Sequence, residues 1–243
     1  VLVFTPELDK EEFADRMVCA ETGIPMDLWK QATKLELAKI KRASSKISEL
    51  ATIATNKLYI EDRGSQTASY ILSSIKRHML SKPVDVVVVD YLQKLRYYGA
   101  DTKRAITDIM DKFCAFAKDN NIAFIVVSQL RRSQNPTPEL SDLKESGDIE
   151  NFADSVILLH RNSRTAIVEK NKAWYKIEKN RQGQTTDEVE LNFDDSILKF
   201  TEVNPPDIDE EEDVYKYTTA DEDLPTEQEV IGQVNAYDKA HGA

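Results

Sequence analysis

Residues Lys82–Leu95 read KPVDVVVVDYLQKL. Four consecutive valines, Val86–Val89, suit a strand buried on both faces, because β-branched side chains pack well on a pleat and nothing polar alternates with them. The run closes on a carboxylate, Asp90, which resists burial. In open α/β sheets ligands bind beyond the carboxyl ends of parallel strands, so an acid at that mouth is well placed to stay charged. The question becomes which other strands share the edge.

Working outward, strand and helix patterns alternate. VLVF at the start is a short apolar strand, and the segment from Thr5 to Gly23 turns it into a helix with Phe13, Met17 and Val18 on one face and Gly23 as its stop. Leu28 to Ala54 is expected to be helical with a lysine-rich outer face. KLYIED is a strand, and SQTASYILSSIKRHML a helix with Ile71, Leu72 and Ile75 facing inward. After the valine run come a helix from about Thr102 to Asp119 and the strand IAFIVVSQ. This alternation of apolar strands and helices predicts a mostly parallel α/β sheet with helices on both faces. From Ser155 the texture changes. SVILLHR, AWYKIEKNR and DEVELNF are strands with no long helices between them, expected to extend the sheet as antiparallel strands.

The formal net charge of -11 is unevenly placed: from Thr201 onward lie 13 of the 43 acidic residues and 2 of the 32 basic ones. The body is therefore neutral, with residues 1–202 expected to form one domain and 203–243 an acidic, disordered tail. A neutral body does not exclude nucleic acid, since a local basic strip is invisible to the total. Cys19 and Cys114 lack metal-ligand or disulfide-framework spacing, so a reduced, cytoplasmic compartment is expected. No apolar run approaches the roughly 20 residues that a membrane span needs. The first residue is Val1 rather than Met and VLVF reads as the middle of a fold, so sequence upstream is expected.

Three strands end on polar groups at the carboxyl edge. VLVFTPE delivers Glu7, DVVVVD delivers Asp90, and IAFIVVSQ delivers Ser128 and Gln129. If the strands are neighbours, two carboxylates and an amide share one crevice. That set suits Mg²⁺-assisted phosphoryl chemistry, in which one carboxylate orients the metal and its waters, the other polarises an attacking water, and the amide senses the terminal phosphate. A plainer reading exists for each alone. Asp90 is then a turn residue, Glu7 an acidic first helical turn, and Gln129 an ordinary loop amide. Together in a βαβ frame, they favour chemistry.

The ordered segments PEL, VVVVDYLQ, IVVSQL, LSDLKESGDIENFADSVILLHR and KIEKNRQGQTTDEVELNF resemble the RecA-like ATPase domain of DnaB-type replicative helicases, bacterial or phage, over roughly Val1 to Phe200. The resemblance implies a RecA-like fold with ATP and Mg²⁺ as cofactors, Glu7 as catalytic base, Asp90 acting on Mg²⁺ through water, and Gln129 as phosphate sensor. It implies that LKESGDI lines the central channel of a hexameric ring, with Lys144, Glu145 and Gly147 following the phosphates of single-stranded DNA. Gly147 lets backbone amides approach closely and Lys144 adds charge, so such a site would be sequence-tolerant and salt-sensitive. It further implies that Lys179 and Arg181, two apart on one strand face, reach the ATP of the neighbouring subunit as an arginine finger. A primase or a helicase loader is the expected partner.

Departures stand beside the match. The family's usual Ser-Leu-Glu-Met is Thr-Pro-Glu-Leu here, and the channel loop's usual Arg is Lys144. No GxxxxGK[ST] phosphate loop occurs in the sequence, so this chain alone is expected to bind ATP poorly. The expected activity is ATP-dependent unwinding of duplex DNA. Two rivals are a RecA-like recombination or repair ATPase that forms filaments, opposed by the ESGDIE loop and the Lys-x-Arg hairpin, and a non-catalytic module binding DNA or a replication partner, favoured by the missing loop. His78, His160, Trp29, Trp174 and the basic run Lys39–Arg42 are assigned packing or surface roles.

Overall fold

The computed structural model describes residues 1–31, 46–50, 52, 57–99, 101–131, 137–143, 146–161 and 171–203. Its first half runs β1 (Leu2–Phe4), α1 (Lys10–Thr22), α2 (Met26–Trp29), β2 (Tyr59–Glu61), α3 (Ala68–Met79), β3 (Val86–Val89), α4 (Thr102–Asn120) and β4 (Ala123–Val126). The strands form a parallel sheet in the order β2-β1-β3-β4.

Local chemistry sets the helix ends. Gly23 takes the left-handed conformation (φ 69°) that other residues avoid, and its N–H caps α1 on the Cys19 carbonyl. The Thr67 side chain accepts from Tyr70 N–H at the start of α3, and Asp101 does the same for Arg104 N–H at the start of α4. Lys76, Arg77 and His78 sit in the last turn of α3, at the negative end of its dipole. The helix expected from Leu28 to Ala54 is interrupted: Gln31 N–H bonds the Leu28 carbonyl in a tightened turn after α2. Residues 46–50 are helical again, while 32–45, with the Lys39–Arg42 run, lie outside the described residues.

The core lies between the sheet and the pair α3 and α4. Ile71 and Ile75 of α3, and Ile106, Ile109, Met110, Phe113 and Phe116 of α4, pack against Leu2, Phe4, Val87 and Val89. Their helical spacing makes one apolar stripe per helix. Each fully buried side chain of this size contributes about 1.5–3 kcal/mol. On the opposite face Val3 is buried, but Ile125 is 55% and Val127 43% exposed, so cover thins toward β4.

The second half adds α5 (Ser146–Phe152), β5 (Ser155–Arg161), β6 (Lys172–Asn180), β7 (Val189–Asp194) and β8 (Lys199–Glu202). The expected antiparallel strands are present, joined by a fourth, β8, but they do not extend the parallel sheet as expected: they pair with one another, in the order β5-β6-β7-β8, as a sheet of their own. In β5, Val156 and Leu158 are buried while Ile157 is 63% exposed, the period-two alternation of a sheet with one core face. Leu143, Val156 and Leu158 form a small core with Leu130, Leu140 and Ala153. Ile149 and Phe152 of α5 join the larger core, which ties that helix to the parallel sheet. Of the predicted tail, 203–243, all but Val203 lies outside the described residues. Among the described residues no helix is long and apolar enough to cross a membrane.

Candidate active site

Strand register brings the three predicted tips level. Phe4 pairs with Val89 and Val89 with Val126, so β1, β3 and β4 end side by side. Backbone pairing continues past the strands: Asp90 N–H donates to the Phe4 carbonyl and Val127 N–H to the Val89 carbonyl, each at 2.9 Å. Glu7, Asp90 and Gln129 thus leave neighbouring strands at one edge.

Electrostatics give Asp90 a distinctive state. Its half-buried carboxyl is held above the ordinary carboxylate pKa, first by desolvation and then by repulsion from Glu7, with Arg16 pulling the other way. Arg16 itself pairs with Glu12 at 2.7 Å. A carboxylate that is poorly compensated by its own protein favours an added cation. Among the described residues no group of three or more His, Cys, Asp or Glu side chains could hold a metal. The neighbouring carboxylates of Asp90 and Glu7 fit Mg²⁺, which keeps several waters and is bound through one or two carboxylates together with substrate phosphates. The residues present therefore fit the metal side of an Mg²⁺-nucleotide, while the phosphate loop that would cradle the nucleotide is not in this sequence.

The turn that follows Asp90 holds residues that sequence reasoning did not single out. Lys94 Nζ lies 3.7 Å from the Glu7 carboxylate. The Tyr91 hydroxyl is raised above its ordinary pKa chiefly by its hydrogen bond to Glu7, with burial and the Glu7 charge adding; Lys94 and a hydrogen bond with Gln129 oppose this. Gln93 Nε2 donates to Ser128 Oγ at 2.8 Å, and Gln93 Oε1 accepts from Gln129 N–H at 3.1 Å. The available signal was spacing: in the 3-10 turn Leu92–Lys94, residues three apart such as Tyr91 and Lys94 eclipse one another, so both can face Glu7.

The basic pair lies elsewhere. Lys179 is the penultimate residue of β6 and Arg181 lies just beyond the strand, after a register shift opposite Val156 and Ile157. Both cations converge, as the spacing predicted, but in this chain their common target is the last turn of α5 and the residues just after it. Lys179 Nζ donates to the Glu150 carbonyl (2.6 Å), Arg181 Nη2 to the Asn151 carbonyl (2.9 Å) and Arg181 Nη1 to Asp154 Oδ1 (2.8 Å). A helix's last carbonyls carry partial negative charge, so they suit cations. Gly147 lies within α5 rather than in a loop, because the helix begins at Ser146; Lys144 and Glu145 lie outside the described residues.

The residues set aside as structural occupy packing positions. Trp29 Nε1 donates to Asp15, His160 stacks on Trp174 with ring centres 5.3 Å apart, and His78 meets Tyr59 edge-on at 4.2 Å. A cavity of about 600 Å³ lies among Arg16, Leu159, Arg161, Phe193 and Phe200.

A parallel sheet that gathers two acids and an amide at its carboxyl edge is an open α/β domain with its candidate ligand site at that edge. The comparisons with known proteins narrow this. Residues 1–202 match the model of the DnaB-like helicase C terminal domain, and the chain belongs to that family. It is 30% identical over 226 residues to the replicative DNA helicase DnaB of Mycoplasma genitalium, covering 87% of this chain and 47% of that protein. It is 28% identical over 204 residues to a probable plasmid replicative DNA helicase of Chlamydia trachomatis serovar L2, covering 81% and 43%. The chain thus spans about half the length of these relatives. Among solved structures, a DnaB-like replicative helicase studied with its primase interactions superposes with a TM-score of 0.73 at 26% identity, covering 84% of this chain and 51% of the other. A solved ATPase domain superposes at 0.74, also at 26% identity, covering 84% and 74%.

Proposed function

We propose that this chain is the motor part of a replicative DNA helicase, coupling ATP hydrolysis at subunit interfaces of a hexameric ring to movement along single-stranded DNA and unwinding of the duplex. The observation that carries the reading is the level placement of Glu7, Asp90 and Gln129, with Asp90 short of positive charge. When bound, Mg²⁺ would polarise the terminal phosphate and offset the charge that develops on it. Asp90 would hold that metal through water, Glu7 would accept a proton from the attacking water, and the Gln129 amide would contact the terminal phosphate. Lys179 and Arg181 would leave the end of α5 to face the neighbouring subunit's nucleotide. Lys144, Glu145 and Gly147 would track the strand's phosphates without reading bases. The compartment would be the cytoplasm of a bacterium or a phage-infected host, and a primase or a loader would be the partner.

The test is ATP turnover by the complete gene product with single-stranded DNA. Arg181→Ala should abolish turnover while leaving nucleotide binding mostly intact. Mixed oligomers with Glu7→Gln subunits should recover turnover only where base and finger come from different chains. Normal hydrolysis by Arg181→Ala would remove the role in trans. Lys144→Ala should weaken single-strand binding alike for every sequence and flatten its salt dependence; an unchanged slope would count against that segment. A second reading is a non-catalytic module that binds DNA or a replication partner. A complete gene product without a phosphate loop and without turnover would establish it over the motor.

A further inference from the structure

Adjacent strand tips do not by themselves hold a sensor side chain still, because the chain beyond β4 is no longer held by strand pairing. Gln129 is exposed, and pairing resumes only at the next residue, Leu130, through an isolated bridge to Leu143. What spans the gap is the turn after Asp90. Leu92 is completely buried in the main core, and its N–H donates to the Val127 carbonyl at 2.9 Å, which pins the turn against the end of β4. From that anchor the Gln93 carboxamide reaches the next two residues, donating to Ser128 Oγ and accepting from Gln129 N–H. A backbone N–H can only donate, so the carboxamide oxygen must face Gln129 and the NH₂ is left for Ser128.

The residue type follows from the task. One side chain must offer an acceptor and a donor at the same end without adding charge beside Glu7 and Asp90. Asparagine is a methylene shorter, lysine has no acceptor, and glutamate adds a third negative charge. We infer that Gln93 is a positioning residue, resting on the motor reading above, that fixes the Ser128–Gln129 backbone so that the Gln129 amide is presented level with Asp90 and Glu7. The same short turn also carries Lys94 to Glu7. A single structural unit after Asp90 therefore reaches both the expected base and the expected sensor.

The experiment has two arms, each using Gln93→Met, which keeps length and loses both hydrogen bonds, and Gln93→Asn, which stays polar and falls short. In the full chain, residue-resolved amide exchange at Gln129 should speed up about fivefold in either variant, the loss expected for one ordinary hydrogen bond. Gln93→Glu keeps the acceptor, and the Ser128 hydroxyl can turn to donate, so this variant should restore slow exchange. In the complete gene product, kcat for ATP should fall roughly tenfold in Gln93→Met, with KM for ATP within about twofold, as for an interaction made only in the transition state. Unchanged exchange at Gln129 would overturn the clamp. Faster exchange with unaltered kcat would overturn the positioning role. A wild-type product that hydrolyses no ATP would overturn the motor reading and that role with it, while exchange would still decide whether the clamp exists.

Discussion

Strands β1, β3 and β4 place their chemistry at their tips, whereas the antiparallel strands place theirs along a flank and a hairpin. The valines of β3 leave little room for a polar side chain before the strand ends, so Asp90 must wait for the edge, where Glu7 and Gln129 join it. In β6 the side chains alternate, and a register shift near its end lets Lys179 face the last turn of α5, while Arg181 follows just beyond the strand. The lesson concerns rigidity. The parallel sheet is backed by the large core around Phe4, Ile71 and Phe113, while the antiparallel sheet is backed by the small one around Leu143, Val156 and Leu158. A metal and an attacking water need groups fixed relative to one another, and the groups proposed for them, Glu7, Asp90 and Gln129, sit on the better-packed part. Lys179 and Arg181, which on the proposed function would change partners, sit on the other.

The contrast breaks most visibly in stability. Phe113→Ala should destabilise by about 3–5 kcal/mol and Leu158→Ala by about 2–3 kcal/mol, measured by denaturant unfolding. Equal losses would erase the distinction between the cores. Next in size, Asp90→Asn should lower ATP turnover of the complete gene product by roughly a hundredfold or more, as removal of a group that orients transition-state electrostatics does. Turnover within tenfold of wild type would show that the tips are not the reacting centre.

The same variant sharpens the comparison through pH. Asp90 has a raised pKa in the fold, so its protonated form is favoured there. Its contribution is fully present below the ordinary value of 3.8 and is lost as pH rises through the folded pKa. Asparagine does not titrate. The thermal midpoint of Asp90→Asn should therefore match wild type in acid and exceed it at neutral pH; a lower midpoint at pH 7 would mean that Asp90 is well paired. The smallest effect belongs to the antiparallel side. Asp154→Ala should cost under about 1 kcal/mol of stability, because the Arg181–Asp154 pair is largely exposed, with side chains 52% and 77% accessible. A larger loss would mean that the hairpin is locked rather than movable.

Much of this was legible residue by residue. The valine run, the inward Ile71 and Ile75, and the stop at Gly23 follow from periods and caps that depend only on near neighbours. The convergence of Lys179 and Arg181 was legible from two-residue spacing, but their target was not, since the Glu150 and Asn151 carbonyls become acceptors only because α5 ends beside β6. The helix through Gly147 was missed because glycine and serine disfavour helices, a preference that burial of Ile149 and Phe152 outweighs. Strand β8 was missed because KFTE is short and borders the acidic tail.

By itself the sequence determined which residues could do chemistry and that they stand at strand ends, since apolar runs and their polar punctuation are properties of the chain. Only the tertiary structure decided that β3 lies between β1 and β4, so that Glu7, Asp90 and Gln129 share one edge, and that Gln93 reaches across to hold Gln129. The physical reason is that strand order and cross-strand hydrogen bonds depend on which surfaces bury one another, a choice made by the whole core at once and written in no single segment.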